Sequence, residues 1–331
     1  MDVSVVIPVH NGEVHLPATL EAIARQTLAP REVLVVDDAS TDATPRIAAG
    51  FGHGVTCLPP GPERGVQAAR NRGIAAARGE WIALCDHDDL WEPGYLESHA
   101  RLLRAAPQVD LCFANFRFLF EHGPDTVTKF DQAPPGWWEE CGRRVLPEGW
   151  VFEKPIAGQT FLWHPIFMSG VVLRKRLAEA AGGFDPALRG MRGEDGEFTL
   201  RCLYRARQVG ALPEPLWLYR RHGGNFSANQ MLNLVDEVAL LKRIRATHAE
   251  ARPWHHIIDS EIRRRRIMAV EAAFAARDHA TARRLLAEVP AAERSAKLRL
   301  KAACVALPDA IGLPLNRLLQ ALAGLRGARQ A

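Results

Sequence analysis

Three acidic groups punctuate the first two thirds of the chain, each where an apolar or turn-rich segment ends. Asp37-Asp38 follows the run Glu32 to Val36. Asp86-His87-Asp88-Asp89 follows Trp81 to Cys85. Glu194-Asp195 opens a segment of helical period. Carboxylates delivered at the end of a buried strand suit a site in an open α/β sheet, whose ligands bind outside the carboxyl ends of the strands. Alternation along a strand places Asp86 and Asp88 on one side and His87 on the other. Two carboxylates held together repel unless a cation lies between them. A hard divalent ion, Mn2+ or Mg2+, accepts such oxygen ligands. The plainer reading of the same residues is a solvated acidic turn. The six cysteines are scattered with no CxxC pair, so the sequence indicates neither a zinc site nor a disulfide framework.

The elements that must position these groups alternate. Val3 to Val9 reads as a buried parallel strand ending in the turn His10-Asn11-Gly12. A helix follows, with Pro17 in its first turn and Leu16, Leu20 and Ile23 at helical spacing. Further strands are expected over 32–36, 55–58, 81–85, 109–116, 169–174 and 215–220. Helices are expected over 67–78, stopped by Gly79, over 95–105 and 175–181, and over 194–208, stopped by Gly210. Thr41 or Asp42 is expected to cap the helix after the second strand. This alternation predicts βαβ units and a mainly parallel sheet with helices on both faces. The stretch 117–167 differs: it holds six prolines and four tryptophans without a dominant period, and reads as a long lid or binding segment. From 228 onward the chain reads as all-helical. The expected organisation is a catalytic domain over 1–227, with a donor-binding half 1–116 and an acceptor-side half 117–227, then a helical extension over 228–331.

The 331 residues are 47% hydrophobic and 24% charged, as in ordinary globular proteins. No apolar run reaches the roughly 18 residues needed to span a bilayer. No secretory leader is recognisable, and the cysteine usage suits a reducing, cytoplasmic compartment. The net charge of +4 hides an asymmetry. Residues 242–331 carry 18 Lys/Arg against 8 Asp/Glu, so the basic surplus belongs to the tail and not to the acidic segments. That tail lacks any nucleic-acid-binding module, so nucleic acid is not an expected partner.

Taken together, SVVIPVHNG at 4–12, LVVDDASTD at 34–42, GVQAARNRGIAAARGEWIALCDHDD at 65–89 and GEDGEF at 193–198 resemble the inverting GT-A glycosyltransferases of family 2, over about residues 3–226. The resemblance implies a GT-A fold, a nucleotide-diphosphate sugar donor (a UDP-sugar above all), a glycan or lipid-linked acceptor, and Mn2+ or Mg2+ as cofactor. Pro8, His10, Asn11 and Asp38 match the nucleotide pocket of that family. Asp38 can accept a hydrogen bond from a uracil-like N–H, or simply cap a helix. Gly65 matches the glycine that lets backbone approach the donor. Arg70, in the family's ARN signature, could pair with the second acidic cluster or with the diphosphate, and Arg64 is a second phosphate candidate. Asp86 and Asp88 match the metal-binding DxD pair. Asp195, with its neighbour Glu194, matches the catalytic base, which accepts the proton of a sugar hydroxyl.

His222, in Tyr219-Arg220-Arg221-His222, is a candidate for contact with the diphosphate or metal, or a structural hydrogen-bonder. His164 could line the acceptor site. Trp137, Trp138, Trp150 and Trp163 suit either stacking on a sugar or anchoring the long segment. The QxxRW pattern of processive synthases is absent, which argues for transfer of single sugars. Arg263 to Arg266 and the leucines of 313–325 (Leu315, Leu318, Leu319, Leu322, Leu325) could form a solvated face or a neighbour contact. They also allow a peripheral contact with anionic lipid at the inner face of a membrane. Two rival classes remain open. A nucleotidyltransferase would need a lysine-bearing triphosphate loop, which Pro8–Gly12 does not offer. A non-catalytic nucleotide-sugar binder would retain donor without releasing nucleoside diphosphate.

Overall fold

The computed structural model describes residues 1–52, 54–225, 228–307 and 309–327. The chain divides into two compact units, Met1–Asn225 and Phe226–Ala331.

In the first unit the strands are β1 (Val3–Val9), β2 (Glu32–Asp37), β3 (Val55–Leu58), β4 (Trp81–Leu84), β5 (Leu90–Trp91), β6 (Val109–Phe120), β7 (Gly123–Thr128), β8 (Arg143–Leu146), β9 (Gly149–Phe152), β10 (Val171–Arg174) and β11 (Gln208–Arg220). The helices are α1 (Leu16–Ala24), α2 (Thr44–Gly50), α3 (Val66–Ala76), α4 (Tyr95–Ala105), the single turns α5 (Trp137–Glu140) and α6 (Ala157–Thr160), α7 (Lys175–Ala180) and α8 (Glu194–Arg205). They form one sheet in the order β3-β2-β1-β4-β10-β6-β11-β9-β8, with β5 on β11 and β7 on β6.

The N-terminal part of the sheet follows expectation. β3, β2, β1 and β4 are all parallel. β1, β2 and β4 are buried along their whole length, which is why they read as unbroken apolar runs. The order reverses at β1, whose neighbours β2 and β4 follow it in sequence on opposite sides. That is the switch point where such sheets open a crevice.

The rest of the sheet is less parallel than the sequence suggests. β10 is inserted antiparallel between β4 and β6, and β9, β8, β5 and β7 all pair antiparallel. The stretch 117–167 is therefore not one long lid. β6 runs on to Phe120 and turns back as β7, while the β8–β9 hairpin extends the sheet beyond β11. β7 and β8 are short, carry charges and leave much of their surface exposed, so no period of two stands out in the sequence. Trp137 and Trp138 are buried, and with Trp150 and Trp163 they pack ring against ring at centroid distances of 4.7 to 5.6 Å. The tryptophans thus anchor this region, and the two most buried cannot stack on a sugar.

Three local expectations are corrected. α8 ends at Arg205, and Gly210 lies within β11, one long strand that accommodates Pro213 and Pro215 by register shifts. The proline pair made it look like a loop followed by a short strand. Gly79 does not cap α3: the helix ends at Ala76, and an added Cβ at Gly79 would lie 2.7 Å from the backbone nitrogen of Ser4. Close approach to β1 is what demands glycine there. Ala43, not Thr41 or Asp42, holds the cap position of α2, although Asp42 Oδ1 accepts the Thr44 N–H at 2.9 Å.

The second unit is helical: α9 (Gln230–Thr247), α10 (His255–Ala275), α11 (His279–Ala287), α12 (Ala296–Ala306) and α13 (Asp309–Gly327). Its core includes Leu234, Val270, Phe274, Leu285 and Leu298, with Leu315 and Leu319 of α13 packed against it. Those two leucines face a neighbour, whereas Leu318 is exposed. The side chains of Leu322 and Leu325 lie outside the described residues. Three of the four consecutive arginines have carboxylate partners within the unit. Arg264 pairs with Glu261, Arg265 with Glu237 and Glu261, and Arg266 approaches Glu288. Among the described residues no helix is long and apolar enough to cross a membrane.

Candidate active site

The C-terminal ends of β1 and β2 turn into loops that clamp each other. Asn11 adopts a left-handed conformation (φ 53°), as does Ala39 (φ 61°). Such backbone persists only where surrounding bonds enforce it. The Asn11 N–H donates to Ser40 Oγ at 2.9 Å, and Asn11 Oδ1 accepts the Thr41 N–H at 2.8 Å. Gly12 N–H donates to Thr44 Oγ1, and Glu13 N–H to Asp42 Oδ2. Asn11 is thus engaged within the chain, and Pro8 is buried within β1 opposite Val36.

His10 and Asp38 sit on this frame. His10 is exposed, and its Nδ1 lies 2.9 Å from the Asp38 carbonyl oxygen. Asp38 Oδ2 accepts the backbone N–H of Gly65, the residue before α3, at 2.8 Å. Asp38 Oδ1 is buried without a hydrogen-bond partner. A buried acceptor left unpaired costs about 1–3 kcal/mol, so an incoming N–H or hydroxyl has a defined place to bind. Gly65 holds a φ of 104° that a side chain would strain, and the Arg189 stem packs against it. Arg64 is exposed beside this cradle. Arg189 was not singled out in the sequence, since nothing local links residue 189 to residue 65.

β4 stops at Leu84, so Asp86 and Asp88 lie on a turn, closed by Asp89 N–H to Asp86 oxygen at 3.2 Å, and not on an alternating strand. They face different partners. Asp86 Oδ1 accepts from Arg70 Nη2 at 2.8 Å, and its backbone N–H donates to Ser169 Oγ. Asp88 Oδ2 is 3.0 Å from His222 Nε2 and accepts from Asn225 Nδ2 at 3.2 Å. The His87 ring lies against Gly12. Among the described residues no group of three or more His, Cys, Asp or Glu is arranged to hold a metal ion by itself. Asp86 Oδ2 and Asp88 Oδ1, however, accept no hydrogen bond there. These two oxygens on one turn are the ones that could hold a hard divalent ion.

The third acid of the cluster has another role. Asp89 is buried, accepts from Ser169 Oγ at 2.5 Å and from the Arg220 N–H at 3.0 Å, and so ties the turn to the segment before β10 and to the end of β11. Burial, then the charges of Asp88 and Asp86, push its carboxyl well above the usual range. Arg220 Nε donates to the Asp88 carbonyl oxygen. His15, at the start of α1, packs its ring 4.6 Å from that of His222, and its pKa is lowered first by burial and then by His222. The sequence gives Asp89 no role apart from its acidic group and does not single out Ser169, Asn225 or His15 as site residues, because their partners lie between 80 and 207 positions away.

Arg70 connects the turn to α8. Its side chain is only 5% exposed. Nη2 reaches Asp86, Nη1 donates to Glu194 Oε1 at 3.1 Å, and the guanidinium lies over the Phe184 ring. Burial opposes its charge, but Asp86, Glu194 and Asp195 together hold the proton more firmly than usual. Of the two open readings of Arg70, the internal ion pair is the one observed. Glu194 is pushed up to about 7, first by burial and then by the Asp195 charge, against the pull of Arg70. Asp195 is also raised by burial, opposed by Arg70 and by the Gly196 N–H that its Oδ1 accepts at 2.8 Å. His164 borders this turn: its Nε2 would lie 3.6 Å from a Cβ at Gly196.

The profile described as "Glycosyl transferase family 2" matches residues 4–156. EpsH of Bacillus subtilis (strain 168), named as a glycosyltransferase, is 31% identical over 222 residues, covering 66% of this chain and 61% of EpsH. YwdF of the same organism, also named as a glycosyltransferase, is 28% identical over 231 residues, covering 69% of this chain and 78% of YwdF. The chain thus spans about three fifths of EpsH. Among solved structures, TarS 1–349 of S. aureus in complex with UDP-GlcNAc superposes with a TM-score of 0.61 at 18% identity, covering 92% of this chain and 87% of that one. That likeness establishes the GT-A fold.

Arg70→Met leaves Asp86 and Glu194 uncompensated. Removing one partner of a buried ion pair costs roughly 3–5 kcal/mol, and the lower end is expected because the Asp86 side chain is 32% exposed. Chemical denaturation measures this, and a loss below about 1 kcal/mol, the range of surface pairs, would show that Arg70 does not hold the site together.

Residues 4–156 thus carry a glycosyl transferase family 2 segment, and the EpsH relationship extends the likeness over 222 residues of the chain.

Proposed function

We propose that this protein is a metal-dependent inverting glycosyltransferase that moves a sugar from a nucleotide-diphosphate donor, a UDP-sugar, to a hydroxyl acceptor in cell-surface glycan or polysaccharide assembly. The observation that carries the reading is the pairing across one sheet edge: an orphaned Asp38 oxygen beside Gly65, and Arg70 joining Asp86 to the Glu194-Asp195 turn. The UDP and UDP-GlcNAc complexes of TarS support the donor class.

Each residue then has a task. Asp38 Oδ1 receives a base or ribose donor group, with His10 and Gly65 bounding the same cradle. Arg64 is available to the diphosphate. Asp86 and Asp88 would hold Mn2+ or Mg2+, which when bound neutralises charge on the departing nucleoside diphosphate. His222 and Asn225 fix the Asp88 carboxylate from the side of β11. Asp195 takes the proton of the acceptor hydroxyl as its oxygen bonds to the anomeric carbon and the bond from that carbon to the phosphate oxygen breaks. One displacement from the far side inverts the centre. Burial makes Asp195 a stronger base than an exposed aspartate. Glu194 acts through Arg70 as a positioning residue.

A cytoplasmic location and a peripheral contact with anionic membrane through the C-terminal helices belong to the same proposal. That contact would rest on Arg263 and the exposed leucine of α13, since Arg264 to Arg266 are neutralised by glutamates.

Asp195→Asn should leave UDP affinity within about twofold while transfer falls roughly 10²–10⁴-fold, the usual contribution of a general base. Steady-state transfer and calorimetry separate the two, and full transfer in this variant would remove Asp195 as base. Asp88→Asn should abolish the manganese-dependent part of UDP binding in calorimetry; an unchanged manganese effect would dismiss the metal assignment. Transfer should rise with pH on an acid limb as the Glu194–Asp195 pair loses its proton, because Asp195 must be charged to act and Glu194 is raised to about 7. Glu194→Gln removes a neighbouring negative charge, so the limb should move to lower pH. A kcat/KM profile with an unmoved limb would mean that the two carboxyls do not titrate together.

A further inference from the structure

Lys129 follows β7, and its backbone N–H donates to the Phe116 carbonyl oxygen on β6. Its ammonium lies over two aromatic faces, 4.8 Å from the Trp163 centroid and 5.5 Å from that of Phe167. Among the described residues no carboxylate pairs with it. Burial alone lowers its pKa, to about 8, with no neighbouring charge contributing. It is therefore still mainly protonated near neutral pH. Aromatic faces attract a cation without neutralising it, and a partly desolvated ammonium with no counter-ion gains by meeting an anion.

The place matters as much as the charge. Trp163 is fixed from behind by Trp137 and Trp138, both buried. The next residue, His164, borders the Asp195 turn. Five residues further on, Ser169 holds Asp89 and the Asp86 N–H. The segment 163–169 thus runs from the Asp195 turn to the acidic turn, and Lys129 lies over rings near both of its ends. Trp163, His164 and Phe167 are half-exposed.

We propose that Lys129, held on Trp163 and Phe167, is an acceptor-specificity residue that binds an anionic group, phosphate or carboxylate, on the molecule whose hydroxyl Asp195 deprotonates. The proposal rests on the glycosyl-transfer reading for the identity of that molecule, but the anion site can be tested without turnover. Fluorescence of the neighbouring tryptophans reports occupancy at constant ionic strength. Glycerol 3-phosphate and glucuronate serve as phosphate and carboxylate probes, with glycerol and glucose as neutral counterparts. Wild-type protein should bind at least one anionic probe roughly tenfold or more tightly than its neutral counterpart, the effect of one hydrogen bond to a charged group. Which probe wins assigns the phosphate or carboxylate source. Lys129→Met should erase the preference, Lys129→Arg should retain most of it, and UDP binding should be unchanged in both, which also establishes that the variants are folded. Equal binding of charged and neutral probes by the wild type, or an intact preference in Lys129→Met, would overturn the proposal. Anion preference that depends on Lys129 in a protein that fails to bind UDP would uphold the site while defeating the donor assignment.

Discussion

A single buried guanidinium sets the geometry of this site. Arg70 leaves α3, passes over Phe184 and divides its two terminal nitrogens between Asp86, on the turn after β4, and Glu194, at the start of α8. The two carboxylates are 108 positions apart in sequence and belong to opposite halves of the domain. A lysine could not serve both, because an ammonium is a point charge without the planar fork of arginine. Five carboxylates gather here: Asp86, Asp88, Asp89, Glu194 and Asp195. Without Arg70 their mutual repulsion would raise several pKa values at once or force the turns apart. With it, Asp195 is held next to a neutralised neighbour, while the second oxygens of Asp86 and Asp88 stay available.

Around this pair the chain uses backbone and small residues to keep surfaces close. The left-handed Asn11 and Ala39 are imposed by the interlocked β1 and β2 loops, and those loops present His10 and Asp38 to one cradle. Gly65 closes it from α3 by giving its N–H to Asp38. Asp89, more deeply buried than the other two acids, fastens the acidic turn to Ser169 and to β11. The three aspartates of one short motif thus divide into two that each keep an oxygen outside the internal hydrogen bonds and one, the most buried, that holds the turn.

Residues 117–225 follow a different design. Their strands are mostly antiparallel, and their tryptophans pack on one another. The aromatic cluster holds the half-exposed Trp163, and the next residue, His164, borders the Asp195 turn without long stretches of regular structure. The separate helical unit settles its own charge: glutamates on α9, α10 and α11 pair with arginines that look like a basic patch in sequence.

The sequence by itself determined the N-terminal, parallel part of the sheet. Strands buried on both faces must be continuous apolar runs, and helices between them show their period, so β1, β2 and β4 and the acidic residues that follow β2 and β4 were all legible. The motif residues Asp38, Asp86, Asp88 and Asp195 were legible for the same reason, since each follows or opens a regular element. Tertiary structure alone decided which carboxylate faces solvent and which is buried, that Arg70 bridges Asp86 to Glu194, and that Gly79 answers to β1 and not to a helix end. It also decided that 117–167 folds into hairpins and that Lys129 has rings but no acid beside it. The physical reason is common to all of these. Periodicity reports burial along one element, whereas pairing of charges and close backbone approach depend on which distant segment arrives opposite, and no local pattern encodes that.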